Sequence, residues 1–265
     1  MNSCLSQTEL MIRFSTTSFI CLLTAGCSGI EMRDLVTPRP VPAQSCVVVG
    51  FLGGRGRWDD ETREVRRAAL RLRSPERSIH VETFENRRRD VAERFVIEAL
   101  DRDGSGEVEP NELRSSRLVV YGLSFGGAAV VKFARQLEPR GIPVALTVQI
   151  DSVGRGDGRI PSNVEQALNL YQDNGWLIRG EHPVRADAPE RTRLLGNVRF
   201  DYNQPPGSEI SLEGVPWWAL VFRVAHARMT RDPAVWSLVE QTVRGACAGE
   251  ELSPFEVSQP PQGRD

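Results

Sequence analysis

The sequence predicts an α/β fold in which a mainly parallel sheet has helices on both faces. Short apolar runs of strand length alternate with longer segments of helical spacing, and such alternation is typical of strands joined by crossover helices. One of these runs, at 118–121, leads through a glycine-rich turn into a helical segment. The chain has 265 residues, of which 40% are hydrophobic, and this suits one domain with a full core.

The elements follow one another along most of the chain. Strands are predicted within 46–54 and at 80–84, 118–121, 142–150 and 194–200. Helices are predicted at 59–72, 90–100, 127–137 and 161–171, and the last begins at Asp232-Pro233, a pair typical of a helix start, and runs to Val243. We therefore expect a core domain over residues 46–248 and a flexible tail over 249–265.

Composition excludes several classes of function. The formal net charge is −2, which gives no electrostatic basis for nucleic-acid binding. Histidine and cysteine do not cluster with the spacing of a zinc site. No motif calls for an organic cofactor.

The stretch 117–127 (RLVVYGLSFGG) carries the strongest chemical signal. The apolar run is followed by Gly122-Leu-Ser124-Phe-Gly126, a G-x-S-x-G pentapeptide, and then by small residues at helical spacing. A strand, a sharp turn with a serine and a helix are the context of a nucleophile elbow. Small residues at 122 and 126 let the strand and helix approach closely. The alternative is a glycine-rich turn with an incidental serine.

At these residues the chain resembles the α/β-hydrolase superfamily, and within it bacterial lipase- and esterase-like proteins with a calcium-loop-like insert before the elbow. The resemblance extends from about Cys46 to about Val243. Many relatives have His or Gln before the serine, where this chain has Leu123, a position without a chemical role. The resemblance implies an acyl hydrolase with a Ser-Asp-His triad in that chain order.

The resemblance assigns the triad to Ser124, Asp151 and His226. Asp151 follows the strand after the nucleophile strand, and Asp201, which follows a later strand, is the competing acid. His226 precedes the final helix, where the superfamily places its histidine on a loop. His80 lies before the serine, in the wrong order, and His182 lies in an irregular stretch.

The same resemblance implies an oxyanion hole made of backbone N–H groups. One comes from the residue after the nucleophile, Phe125, and the other from the loop after the first strand, with Phe51 and Leu52 as candidates. The aromatic stretch 215–222 (VPWWALVF) either forms an acyl pocket or lid or packs in the core, and core packing is favoured.

Residues 101–112 (DRDGSGEVEPNE) have the spacing of an EF-hand calcium loop. Oxygen ligands occupy loop positions one, three, five, nine and twelve, a backbone carbonyl is offered at position seven, and glycine stands at the bend. The candidate ligands are Asp101, Asp103, Ser105, Glu107 through its carbonyl, Glu109 and Glu112. The segment that leaves the loop is too short for an EF-hand helix, so we expect a structural Ca²⁺ site and not a sensor. The alternative is a solvated acidic loop.

The amino terminus predicts export. A basic residue, a short apolar segment and Thr24-Ala-Gly-Cys27 resemble a secretory signal with a lipobox, which implies cleavage before Cys27 and acylation of its thiol. Residues 1–27 would be the signal region and 28–45 a membrane tether. A plain signal peptide, or a start at Met11, is the alternative. Cys46 and Cys247 then remain, either as a disulfide or as two free thiols.

Two further function classes stay open at this point. One is a non-catalytic, membrane-tethered binding protein on a hydrolase fold, and the other is a calcium-dependent adhesion module. An intact serine, acid and histidine argue against the first, and the presence of a single loop argues against the second. The sequence does not identify the acyl substrate or the oligomeric state.

Overall fold

The sheet contains six strands, and each neighbouring pair is parallel. This computed structural model describes residues 29–175, 178–215 and 217–255. The strands are β1 (Cys46–Leu52), β2 (Ile79–Glu85), β3 (Arg117–Leu123), β4 (Val144–Ile150), β6 (Val164–Tyr171) and β8 (Arg193–Arg199), in the spatial order β2-β1-β3-β4-β6-β8. Two short strands, β5 (Arg159–Ile160) and β7 (Arg185–Ala186), form a separate parallel pair. The predicted α/β architecture is confirmed.

Helices cover both faces of the sheet. The helices are α1 (Glu64–Leu72), α2 (Arg89–Leu100), α3 (Pro110–Arg114), α4 (Phe125–Leu137), α5 (Trp217–Arg231) and α6 (Pro233–Ala248). Alternate residues of β1 divide between two hydrophobic cores: Val49 packs with α2 and α4, and Val48 packs with α1 and α6. All seven residues of β1 are buried, as expected for a strand covered on both sides.

The predicted helix at 161–171 is wrong, because Val164–Tyr171 forms β6 between β4 and β8. Residues 167–170 are all buried, so the alternation that identifies a half-exposed strand is absent there. Buried Asn169 donates hydrogen bonds to the Glu181 carbonyl and to Asn197 Oδ1. These partners replace water for the N–H groups of the buried Asn169 amide.

Residues 29–45 pack on the domain, which corrects the predicted tether. Ile30 and Val41 are buried, and the Val41 N–H donates to the Ala99 carbonyl. Glu82 accepts hydrogen bonds from the N–H and hydroxyl of Thr37. The predicted tail is also too long, since the Phe255 N–H donates to the Leu195 carbonyl. Residues 1–28, including Cys27, and residues 256–265 lie outside the described residues.

A disulfide joins Cys46 at the start of β1 to Cys247 at the end of α6. The two residues are 201 positions apart, so the bond closes almost the whole domain into a loop. Closure of a long loop restricts the unfolded chain, which stabilises the folded protein.

We expect removal of this disulfide to lower the free energy of unfolding by about 2–4 kcal/mol. Denaturant titration of the oxidised protein and of the Cys46→Ser, Cys247→Ser double variant measures the difference. Equal midpoints for the two proteins would contradict the expected stabilisation.

Among the described residues, none of the helices combines the length and the apolar composition that a bilayer-spanning segment requires.

Candidate active site

Ser124 occupies the sharp turn between β3 and α4. Its backbone has φ +59° and ψ −123°, a conformation that non-glycine residues seldom adopt. The Ser124 N–H donates to the Ile150 carbonyl, and the Ser124 carbonyl accepts from the N–H groups of Gly127 and Val153. Strain of this kind persists only where surrounding bonds hold it, and it is concentrated at functional sites.

The flanking glycines are required by the closeness of neighbouring backbone. A Cβ atom added to Gly122 would lie 2.4 Å from the Gly126 carbonyl oxygen. One added to Gly126 would lie 2.0 Å from the carbonyl oxygen of Phe51. Any side chain at either position would therefore push the first turn of α4 away from the sheet.

Asp151 and His226 are directly hydrogen-bonded. Asp151 follows β4 and is fully buried, with φ +42°. His226 Nδ1 lies 2.5 Å from Asp151 Oδ2, and 14% of the histidine side chain is exposed. Because Ser124 bonds to Ile150 and Val153, its backbone lies alongside Asp151. Ser124 and Asp151 thus lie side by side at the carboxyl edge of the sheet, and His226 is hydrogen-bonded to Asp151.

The structure places His226 within α5, and the predicted loop position is wrong. The helix is interrupted at Arg223, whose φ of −140° is not helical, and the following turn carries His226. Met229, one turn after the histidine, is fully buried in the core that lies beneath α1 and α6. Arg228 donates to the carbonyl of buried Tyr202. These contacts fix the helical turn from which the imidazole reaches Asp151.

The competing residues lie in other environments. Asp201 accepts from Asn174 and lies 3.5 Å from the guanidinium of Arg199. His80 is buried in β2, where burial lowers its pKa and the charge of Arg73 lowers it further. His182 stacks on Tyr171 with ring centroids 4.3 Å apart. Asp151 and His226, by contrast, are bonded to each other.

No protein-family model and no curated protein matches this chain. The functional assignment therefore depends on the residues of the site.

Gln172 is a site residue that the sequence analysis missed. It follows β6, is fully buried, and its Nε2 lies 3.3 and 3.2 Å from the two carboxylate oxygens of Asp151. The same amide group donates to the Ile178 carbonyl. The amide and the imidazole together supply the donors that a buried carboxylate needs. A polar residue directly after a strand is the pattern that could have identified Gln172. The pattern was missed because residues 161–171 were predicted to be a helix.

A second buried carboxylate lies behind the site. Ser152 donates its hydroxyl to Asp157 Oδ2 at 2.5 Å, and its carbonyl accepts from the Glu181 N–H. Burial raises the pKa of the Glu181 carboxyl, and the negative charge of Asp157 adds to the increase. Because its hydroxyl is bound to Asp157, Ser152 does not compete with Ser124 as a nucleophile.

The three predicted oxyanion residues lie in different positions relative to the turn at Ser124. Phe125 is the first residue of α4, where backbone N–H groups have no acceptor within the helix, so its N–H suits the role. Phe51 is aligned within the sheet with both Phe84 and Gly122 and its carbonyl packs on Gly126, so its N–H stays a prediction that this pairing disfavours. Gly53 borders the serine instead: a Cβ added there would lie 3.1 Å from Ser124 Cβ.

Leu52 lies one residue nearer to the turn than Phe51. It is the last residue of β1, and its carbonyl accepts from Asn86. The Leu52 N–H stays a prediction as the second oxyanion donor. The Gly53 N–H is a further candidate for the same role.

Three carboxylates converge in the loop at 101–112. One oxygen each from Asp101, Asp103 and Glu112 lies within 4.8 Å of the others, a separation that a Ca²⁺ ion with ligands at about 2.3–2.6 Å can bridge. The Ser105 hydroxyl donates to the Glu107 carbonyl inside the same loop. The Glu109 carboxylate is not part of this cluster.

The loop is held in shape by its own backbone. Asp101 accepts from the N–H groups of Gly104, Ser105 and Gly106, and the two glycines have positive φ angles. Burial by itself would raise the pKa of Glu112, but N–H groups of Glu109 and Arg102 bind the charged form and lower the pKa overall. The donor set therefore fits a hard cation.

Two surface clefts lie at the opposite, amino edge of the sheet near Cys247. Their volumes are about 470 and 590 Å³. Neither is lined by Ser124, Asp151 or His226. These clefts are separate from the candidate active site.

Proposed function

We propose that the protein is a serine hydrolase that cleaves carboxylic ester or thioester bonds. The observation that carries the proposal is the 2.5 Å hydrogen bond between His226 and buried Asp151, next to a serine in a strained strand–helix turn. An acid that binds Nδ1 fixes the imidazole tautomer and leaves Nε2 to act as a base. No other histidine in the described part of the chain is bonded to a carboxylate.

The proposed reaction has two acyl transfers. Ser124 Oγ attacks the acyl carbon while His226 Nε2 takes the hydroxyl proton, and backbone N–H groups, including that of Phe125, stabilise the oxyanion. His226 then protonates the leaving alcohol or thiol, and Ser124 retains the acyl group. Water, deprotonated by His226, attacks this ester, and His226 returns the proton to Ser124 Oγ as the carboxylic acid leaves. Asp151 stabilises the His226 imidazolium in both acyl transfers.

Histidine substitution tests the assignment of the base. We expect His226→Gln to lower kcat/KM on short p-nitrophenyl esters at least about hundredfold, because general-base catalysis is lost. His182→Gln is the matched control and keeps the rate within about twofold, since surface substitutions usually have small effects. Equal rates for the two variants would exclude His226 as the base.

We further propose a structural Ca²⁺ site in the 101–112 loop. Asp101, Asp103 and Glu112 would hold the ion through carboxylate oxygens, with the Ser105 hydroxyl and the Glu107 carbonyl beside them. Helix α3 begins within the loop, contains Glu112 and has five residues, in keeping with the predicted short exit segment. The ion would tie the end of α2 to α3.

Calcium removal tests this site. We expect EGTA to lower Tm and millimolar Ca²⁺ to restore it, because a ligand that binds only the folded chain stabilises it. Asp103→Asn should abolish the Ca²⁺-dependent shift. Glu107→Gln removes a charge from the same exposed loop but keeps the carbonyl ligand, so it should retain the shift. A Tm that does not respond to Ca²⁺ in the unmodified protein would rule the site out.

We also propose that the protein is exported and acylated at Cys27. The sequence at 24–27 supports acylation, and the Cys46–Cys247 disulfide suits an oxidising compartment. Mass spectrometry of the amino-terminal peptide from membranes tests this assignment. A peptide that retains residues 1–26, or an unmodified Cys27, would contradict it.

A further inference from the structure

The described chain begins at the edge of the sheet that carries the candidate active site. The Ile30 N–H donates to Glu85, the last residue of β2, and the Ile30 carbonyl accepts from Arg88 in the turn before α2. Gly29 also packs against the Arg88 side chain. In a parallel sheet the strands all end at one edge, so Gly29 and Ser124 lie at the same edge.

The segment that follows is fixed to the domain. From Ile30 it passes Glu82, which binds Thr37, and reaches the end of α2, where Val41 bonds to Ala99. Thr37 and Val41 are buried. Residues 30–41 therefore cannot act as a flexible spacer between a membrane anchor and the domain.

The remaining distance to Cys27 is short. Only Ser28 separates Cys27 from Gly29, and the two Cα–Cα steps span at most about 7 Å. Glu85 is aligned with Leu52, and Phe51 with Gly122, so β2 and β3 end at similar levels, two strand spacings or about 10 Å apart. A lipid on Cys27 would thus lie roughly 20 Å from Ser124.

Exposed apolar side chains belong to the two helices that begin or carry the site, α4 and α5. Five large apolar side chains are exposed in the described part of the chain, and three of them are Phe125, Trp217 and Val224. Phe125 follows the proposed nucleophile, and the other two belong to the helix that carries His226. Trp217 is 77% exposed and Phe125 52%, which is costly in water and favourable at a lipid interface.

Arginines accompany these apolar groups. Arg55 follows β1, Arg87 follows β2, and Arg223 lies one residue before Val224, and all three are exposed. Cationic side chains around an apolar surface suit contact with anionic phospholipid headgroups. A membrane accounts for the short connection, the apolar groups and the cations together, and a protein partner would leave the short connection unexplained.

We propose that the carboxyl edge of the sheet faces the phospholipid bilayer that anchors Cys27, and that the substrate is a long-chain acyl ester held in that bilayer. The proposal rests on the acylation and the esterase activity proposed above. The short connection holds the edge at the surface, and Phe125, Trp217 and Val224 enter the headgroup region. Ser124 then meets acyl esters of the bilayer without their release into water.

Site-specific labelling tests the orientation. Arg55→Cys places a fluorophore on the carboxyl edge, and Glu190→Cys, at an exposed position just before β8, places one on the amino edge. Each acylated chain is bound to vesicles of phosphatidylcholine and phosphatidylglycerol and quenched with iodide, with the Cys27→Ser form as the soluble reference. We expect severalfold less quenching at residue 55 on vesicles and an unchanged value at residue 190. Equal accessibility of residue 55 in both forms, or a Cys27 without lipid, would overturn the proposal.

A spacer tests the substrate class. Twenty Gly/Ser residues inserted between Ser28 and Gly29 form a flexible coil that releases the edge from the surface. We expect a decrease of about tenfold or more on an ester embedded in vesicles, with the rate on p-nitrophenyl butyrate unchanged, because effective concentration is lost. An unchanged rate on the embedded ester would overturn the substrate class. If no form cleaves the soluble ester, the proposed hydrolase fails, and the labelling still decides the orientation.

Discussion

Ser124→Ala is expected to reduce kcat/KM for ester hydrolysis at least about 10³-fold, because the remaining groups cannot form an acyl intermediate. The rate should fall without loss of the fold, since alanine keeps the Cβ and removes only the hydroxyl. Initial rates on p-nitrophenyl esters of increasing chain length measure the effect and also define the acyl preference of the unmodified protein.

Ser237→Ala provides the matched control. Ser237 is exposed on α6, far along the chain from the turn that holds Ser124. This variant should keep full activity and the same thermal unfolding curve. If Ser124→Ala were as active as Ser237→Ala, the hydroxyl at the turn would have no role in the reaction.

Gly126→Ala is expected to destabilise the protein by at least about 4 kcal/mol, more than a typical overpacked core residue. The new methyl group would lie 2.0 Å from the carbonyl oxygen of Phe51, which belongs to β1, a strand paired on both sides. Neither α4 nor β1 can move without breaking contacts on both faces. Denaturant titration measures the loss, and failure to accumulate as folded protein is the extreme form of the same result.

Gly29→Ala is a suitable comparison. A Cβ at Gly29 would lie 3.4 Å from the flexible Arg88 side chain, which is ordinary contact. This variant should unfold at nearly the same denaturant concentration as the original protein. Equal stability of Gly126→Ala would mean that the strand and helix are not held at the described separation.

Local patterns were sufficient to predict much of the sheet and the turn that holds Ser124. The apolar run at 118–121 and the glycines around Ser124 specify a strand, a turn and a helix, and the structure contains β3 and α4 there. Asp232 was predicted as a helix cap, and its carboxylate accepts from the Ala234 N–H at the start of α6. These features depend on neighbours only a few residues away.

Other features depend on partners far along the chain. Strand β6 looks helical because burial on both sides removes its alternation, and Gln172 was missed with it. The polar composition of 29–45 suggested a tether, yet Glu82 and Glu85 bind that segment from about 50 residues away. His226 was predicted on a loop because no local signal marks the irregular residue Arg223 inside α5.

The central claim is that Ser124 is activated by His226 and Asp151. Mass spectrometry of the protein after treatment with a fluorophosphonate probe tests it most directly, because the probe phosphonylates only a serine whose proton an adjacent base removes. We expect one adduct, located at Ser124, with labelling lost in His226→Gln and retained in His182→Gln. An unmodified Ser124 in folded, disulfide-bonded protein, or labelling that persists without His226, would contradict the account.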